Sequence, residues 1–325
     1  MIGRWRSFFL LLLGLAGAAG AAAAAEPAKV SIVIFSPPSV GAILPYVIRD
    51  QHFDRANGLA IDFVERTPDA YATEFNSGEF QLGGSASLLI VGLADTRGVK
   101  VSYLFNLFDY WGAVVTQRPE IKTIADLKGR ELAAAKGTTN YAMFEWFARG
   151  EGLDPASLKV VNTAPPGLIG YALADRADAV QLWEPAYSLL LAKKPGIRTL
   201  PLDIAGQWRK FAGSDHSPYL GLAAHREWIS RHRDLIPRLY RTYRLAAQWV
   251  LANPAAAAPL IAPQADAAGL KAIEELVRDN RRLGMNVAPA GKIKPEIDAV
   301  FRAGLSLGLL ETMPDPAAIY EGAMD

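Results

Sequence analysis

The chain has 325 residues, with 34 lysines and arginines against 33 aspartates and glutamates, a formal net charge of +1 and no cysteine. That length allows two domains of ordinary size, and a balanced charge with no basic stripe argues against nucleic acid as a partner and against a disordered chain. The lack of cysteine excludes disulfides, a thiol nucleophile and a lipid-modified cysteine.

At the N-terminus, Arg4 and Arg6 precede an uncharged run over 7–25 whose centre, 8–15, is strongly apolar and whose end is nearly all alanine. This is the plan of a signal peptide over 1–25, with Ala23-Ala24-Ala25 before Glu26 as a small-residue cleavage site. A membrane anchor is the competing reading, because a spanning helix needs about 20 apolar residues. The short apolar centre and the alanine-rich end favour cleavage. Loss of Arg4 and Arg6 takes the formal charge from +1 to −1. The expected mature protein is soluble and periplasmic, a monomer held by its core.

Residues 30–35 then read as a buried strand, followed by Ser36-Pro37-Pro38-Ser39-Val40-Gly41 and a helix over 42–49 that Asn57-Gly58 would stop. A strand at 60–64, a helix at 71–75 and a strand at 80–82 ending in Gly83-Gly84-Ser85 complete the unit. About 100 residues later the same order returns: strand 131–135, turn 136–140, helix 141–149, strand 159–161, helix 167–173 and strand 177–182 ending in Trp183-Glu184-Pro185. Two βαβαβ units imply two similar lobes, each a mostly parallel sheet with right-handed crossovers. Strands at 100–106, 112–117 and 219–225 connect them, with the second and third as candidate hinges. Thr123 with Asp126 three residues on marks a short helix start. Apolar residues at three- and four-residue spacing make helices of 235–251, 270–283 and 296–310.

Four short motifs, in order, carry a resemblance: Asp126-Leu127-Lys128-Gly129, Lys136-Gly137-Thr138-Thr139, Gly152-Leu153-Asp154-Pro155 and Trp183-Glu184-Pro185. In this the chain resembles the periplasmic substrate-binding proteins of ABC importers for sulfonates, taurine, nitrate and thiamine-precursor pyrimidines. The resemblance implies an α/β two-lobe fold of the second structural type, with lobe one at 28–112 plus 222–325 and lobe two at 113–221. It implies C-terminal helices packed on the first lobe, a two-strand hinge and capture of a small molecule by closure. The implied partners are that ligand and an ABC permease in the inner membrane. The pyrimidine synthases of thiamine biosynthesis share the fold but carry a cysteine-rich motif, which this chain lacks. It departs from the family pattern at Gln81, where aspartate is usual, at Arg176, where glycine is usual, and at Pro37-Pro38.

Ligands of open α/β sheets bind beyond the C-terminal ends of the strands, which gathers the candidate site residues. Thr138, Thr139 and Asn140 begin a helix whose N–H groups favour an anionic group, although one threonine is also needed as a cap. Ser36, Ser39, Ser85 and Ser87 offer hydroxyls at the matching ends of the first unit, where serine is common in turns anyway. Asp109, Tyr110 and Trp111 precede the first crossing, and either ring is as well suited to the core as to stacking on a ligand. Glu184, flanked by Trp183, is a carboxylate at a buried strand end and needs a partner, either a hinge-side donor or a ligand N–H. Lys136 is the one fixed cation near these loops.

His52, His216, His225 and His232 show no metal-ligand spacing, and no phosphate loop, nucleophile elbow or cofactor motif is present. The expected activity is binding without a cofactor, of a taurine-like zwitterion or an amino-substituted heterocycle. A periplasmic enzyme using Glu184 with Lys136, Asp109 or His216, and a ligand sensor for a membrane receptor, remain the alternatives.

Overall fold

The computed structural model describes residues 26–324, so the signal-peptide expectation for 1–25 lies outside the described residues. Among the described residues no helix is long and apolar enough to cross a membrane.

Strand β1 (Ala28–Phe35) is nearly continuous in apolar residues, and Ile32, Val33 and Ile34 are fully buried. A strand buried on both faces is what a parallel sheet covered by helices requires. It pairs in parallel with β2 (Leu59–Arg66), from Ala28 opposite Leu59 to Phe35 opposite Arg66, and on its other side with β3 (Leu82–Ser87). Helices Val40–Gln51 and Pro68–Asn76 make the crossovers. The second starts as its sequence dictates: Thr67 caps the N–H of Ala70, and Pro68 stands at the first position, where no donor is needed.

From β4 (Val101–Asp109) the chain passes to β5 (Ala113–Thr116), which lies in a second sheet. There β6 (Glu131–Ala134) pairs in parallel with β7 (Lys159–Asn162) and β8 (Ala179–Leu182), with crossovers Thr139–Gly150 and Pro165–Leu173. After β9 (Arg198–Thr199) and helix Ile204–Ala212, β10 (Pro218–His225) returns to the first sheet, and β11 (Met285–Pro289) closes its far edge.

The orders are β11-β4-β10-β3-β1-β2 and β7-β6-β8-β5-β9. Both repeated units are parallel, and beside the third strand of each runs an antiparallel strand newly arrived from the other sheet, β10 against β3 and β5 against β8. Each sheet is therefore mixed, with parallel pairing confined to its repeated unit.

Three boundaries differ from the sequence expectation. The third strand of the first unit runs through Gly83, Gly84 and Ser85 to Ser87, because a position without a side chain admits the Tyr71 hydroxyl 2.2 Å from where a Gly83 Cβ would sit. The crossings fall at 110–112 and 213–217, joined by Tyr110 N–H donating to the Ser217 carbonyl at 2.7 Å; 113–116 and 218–225 are already strands inside the sheets. The run expected at 270–283 is broken at Asp279 into Ala267–Arg278 and a short turn, Asn280–Leu283.

Helices Leu235–Ala252 and Lys294–Ser306 pack on the first lobe, against Val40–Gln51 and Leu88–Thr96. Ala267–Arg278 packs on Pro254–Ile261, with Ile273, Leu276 and Val277 in the first-lobe core, and on its other side reaches Ala186–Lys193 of the second lobe. One buried apolar cluster also spans both lobes, bringing Met143, Phe147 and Trp208 together with Leu88, Tyr110, Val300 and Phe301.

Candidate ligand-binding site

Three polar contacts join the lobes where the strands end. Ser87, the last residue of β3, donates its hydroxyl to that of Thr139 at the start of helix Thr139–Gly150. One residue on, Asn140 Nδ2 donates to the Tyr219 hydroxyl in β10 at 2.6 Å. The third contact is charged: Arg282 Nε and Nη2 donate to Glu184 Oε1 at 3.1 and 2.9 Å.

Glu184 follows β8 and precedes helix Ala186–Lys193, so its carboxylate faces the unpaired N–H groups of a helix start. Ser188 supplies two of its partners, N–H to Oε2 at 3.1 Å and Oγ to Oε1 at 3.0 Å. The residue is only 2% exposed, and that burial pushes its carboxyl above the ordinary range, against the pull of the Arg282 charge and the Ser188 donors. The guanidinium of Arg282 also lies 5.8 Å from the Trp111 ring centre and 5.3 Å from that of Tyr187, within cation–π range of both.

Asp109 ends β4 and staples the two crossings together. Its Oδ2 lies 2.8 Å from His216 Nδ1 on the returning crossing, and it accepts from Asn286 Nδ2 at 3.2 and 3.0 Å and from Asn106 Nδ2 at 3.1 Å. The Tyr103 hydroxyl, donating to Asn106 Oδ1 at 2.8 Å, orients that amide. Burial pushes the Asp109 carboxyl up, and the hydrogen bond to it pushes the His216 imidazole up.

Asp109, Trp111, Trp183, Glu184, Tyr219 and Arg282 line a small cavity open to solvent, which in this closed-in arrangement has room for about one water molecule. Two acids, one base and three aromatic rings thus meet at the strand ends. Nearby, Asn140 Oδ1 and Gln181 Oε1 are buried acceptors with no hydrogen-bond donor among the described residues.

Four of the expected site residues, Asp109, Trp111, Trp183 and Glu184, line this cavity, while Ser87, Thr139 and Asn140 bridge the lobes. The others are placed differently. Ser39 caps its helix by accepting from Gly41 N–H at 3.1 Å, and Thr138 does the same for Tyr141 N–H at 3.2 Å. The Ser85 hydroxyl is fully buried and accepts from Phe35 N–H at 2.9 Å; a Cβ on Gly41 would sit 2.2 Å from it, so the helix start closes over this serine. Ser36 is half-buried, its N–H tied to the Arg66 carbonyl. Tyr110 belongs to the core, stacked on Phe147 at 5.4 Å. Lys136 is exposed, and the cation in the cavity is Arg282, which corrects the assignment made from sequence. Arg282, Tyr219, Ser188 and Asn286 were missed. Arg281-Arg282 ahead of Leu283-Gly284 has the pattern of an ordinary solvated helix end, which hides its role.

A family model described as NMT1/THI5 like matches residues 43–257, more than half of the chain, and the protein belongs to that family. Among solved structures it is similar to the alkanesulfonate-binding protein SsuA of Xanthomonas axonopodis pv. citri bound to MOPS, at 18% identity and a TM-score of 0.74 over 91% of this chain and 99% of that one. The periplasmic aliphatic sulphonate binding protein SsuA of Escherichia coli aligns at 18% identity and 0.69, covering 91% and 93%. The CA3427 gene product of Candida albicans, described as having the generic periplasmic binding protein fold, aligns at 15% and 0.64, covering 90% and 93%. At these identities the likeness establishes the fold, which is the two-lobe periplasmic-binding-protein fold. No curated protein matches the chain in sequence.

Proposed function

We propose that the protein is the periplasmic solute-binding component of an ABC importer, without catalytic activity, and works as a monomer. A small organic solute enters between a first lobe at about 28–112 plus the C-terminal segment and a second lobe that follows it. The lobes close about the paired crossings, and the closed form docks on an inner-membrane permease. A solute that touches both lobes stabilises the closed state by its differential affinity for it.

The observation that carries this reading is the convergence of side chains from both lobes on one cavity, with Asp109, Tyr219 and Arg282 from the first sheet and its helices and Trp183 and Glu184 from the second. The character of the groups supports the solute class. Glu184 and the unpartnered side-chain oxygens of Asn140 and Gln181 are acceptors suited to N–H groups of a solute, the aromatic rings offer flat apolar walls, and the start of Thr139–Gly150 favours an anion. A taurine-like zwitterion or an amino-substituted heterocycle meets all three.

A thermal-shift panel of sulfonates, taurine, nitrate, aminopyrimidines and aromatic acids tests it. The cognate class at about 100 times its dissociation constant stabilises by about 2.7 kcal/mol. A panel without any shift overturns the proposed solute class, and turnover of a panel member overturns the binding-only reading.

A further inference from the structure

Glu184 is a buried carboxylate whose cationic partner comes from the other lobe on a flexible side chain. Arg282 Nε and Nη2 both reach Oε1, and Nη2 also donates to Ser188 Oγ at 2.5 Å, beside the rings of Trp111 and Tyr187, whose centres are 5.0 Å apart. Glu184, Ser188, Trp111 and Tyr187 all belong to the second lobe or to the crossing that enters it. Together they form a cation subsite with an anionic floor and aromatic walls.

The backbone that carries Arg282 is fixed. Asn280 closes the turn from both sides, its Nδ2 donating to the Met285 carbonyl and its Oδ1 accepting from Met285 N–H, each at 3.0 Å. Gly284 has φ +68°, and its Cβ position would lie 2.7 Å from the Asp109 carbonyl, so the turn lies directly on the crossing strand. The Gly284 carbonyl accepts from Asp109 N–H at 2.7 Å. Only the side chain of Arg282 is free to leave, and at 35% exposure it has water to move into.

We propose that Arg282 is a built-in surrogate for the ligand's cation. Resting on the solute-binding reading, the inference is that the Glu184–Ser188–Trp111–Tyr187 subsite takes an ammonium, amidinium or guanidinium group, which displaces the Arg282 side chain. The exchange replaces one cation by another, so the buried carboxylate is never left unpaired, the arrangement that is costly inside a protein. A tethered side chain competes at high effective concentration and lowers the apparent affinity for any solute cation. Arg282 thereby sets a selectivity threshold: solutes lacking a strong cation do not displace it.

The test uses the full chain with methylguanidinium, benzamidine, taurine and methanesulfonate as probes, followed by calorimetry and by the fluorescence of Trp111 and Trp183. Arg282→Met removes the competitor, and the affinity for methylguanidinium and benzamidine rises by about tenfold or more over wild type. Arg282→Lys keeps a tethered cation and stays near the wild-type value. Glu184→Gln loses cation binding in either background. The inference is overturned if Arg282→Met binds the cations no better than wild type, whether or not either protein binds them measurably. It is also overturned if wild type binds methanesulfonate and Arg282→Met does not, which makes Arg282 an anion contact while leaving the solute-binding reading intact. Absence of binding by every probe and every solute of the panel in all variants removes both.

Discussion

The two flanks of the cleft join the lobes by different chemistry. On one, Met143, Phe147 and Trp208 of the second lobe pack with Leu88, Val300 and Phe301 of the first, next to the neutral contacts Ser87–Thr139 and Asn140–Tyr219. On the other, the Glu184–Arg282 pair lies between aromatic rings at the mouth of the cleft, beside the packing of Ala267–Arg278 on Ala186–Lys193. A buried apolar contact has nothing a small polar solute can replace, whereas an ion pair exchanges one charged partner for another. The apolar flank is therefore suited to hold a fixed spacing, and the charged flank to respond to what enters.

Mutations that separate the flanks test this division. Phe147→Ala empties a fully buried position in the apolar flank and is expected to cost about 3–5 kcal/mol in urea unfolding. A loss no larger than that of a surface substitution would remove the apolar flank as the fixed side. Arg282→Met leaves Glu184 buried with only Ser188 as donor and is expected to cost about 1–3 kcal/mol. That loss should be smaller at acid pH, where a protonated Glu184 needs no counter-charge; equal losses at both pH values would show that the pair contributes no charge-dependent stability. Asn140→Ala removes one neutral bridge, expected at about 0.5–1.5 kcal/mol by the same measurement. A cost as large as that of Phe147→Ala would make the neutral bridge, rather than the apolar packing, the main joint on that flank.

The smallest effect belongs to the staple between the crossings. Hydrogen bonding to Asp109 raises the folded-state pKa of His216 above its unfolded value of 6.5. The stability from that contact is fully present below the unfolded value and is lost as pH rises through the raised one. The margin in urea midpoint of wild type over His216→Gln should therefore shrink steadily with rising pH. A margin independent of pH would show that the imidazole does not titrate against Asp109.

The two βαβαβ units were legible because each writes its elements locally, as apolar strands of 28–35 and 131–134 followed by a polar turn and a helix. Helix Leu88–Thr96 was not, because Leu88, Leu89, Val91, Ala94 and Asp95 are all buried and a helix without a polar face shows no period. Glu184 stood out as a charge at the end of an apolar strand. Arg282 did not, since 98 positions separate it from Glu184 and only the path of the C-terminal segment back to the crossings brings them together. The same limit applied to the serines: whether a hydroxyl caps its own helix, as Ser39 does, or reaches the other lobe, as Ser87 does, depends on which strand end it occupies.

The place of β10 between β3 and β4 also bears on the order in which the lobes can be completed. All five strands of the second sheet lie within 113–199, one continuous piece of chain, so that sheet can close as soon as this segment has been made. The first sheet cannot: β3 and β4 have no bond to each other, and both wait for 218–225 to fill the gap. Until then the N-terminal third presents open strand edges, the backbone most prone to mispair with other chains. The third of the molecule synthesised first is thus the part that needs shielding longest.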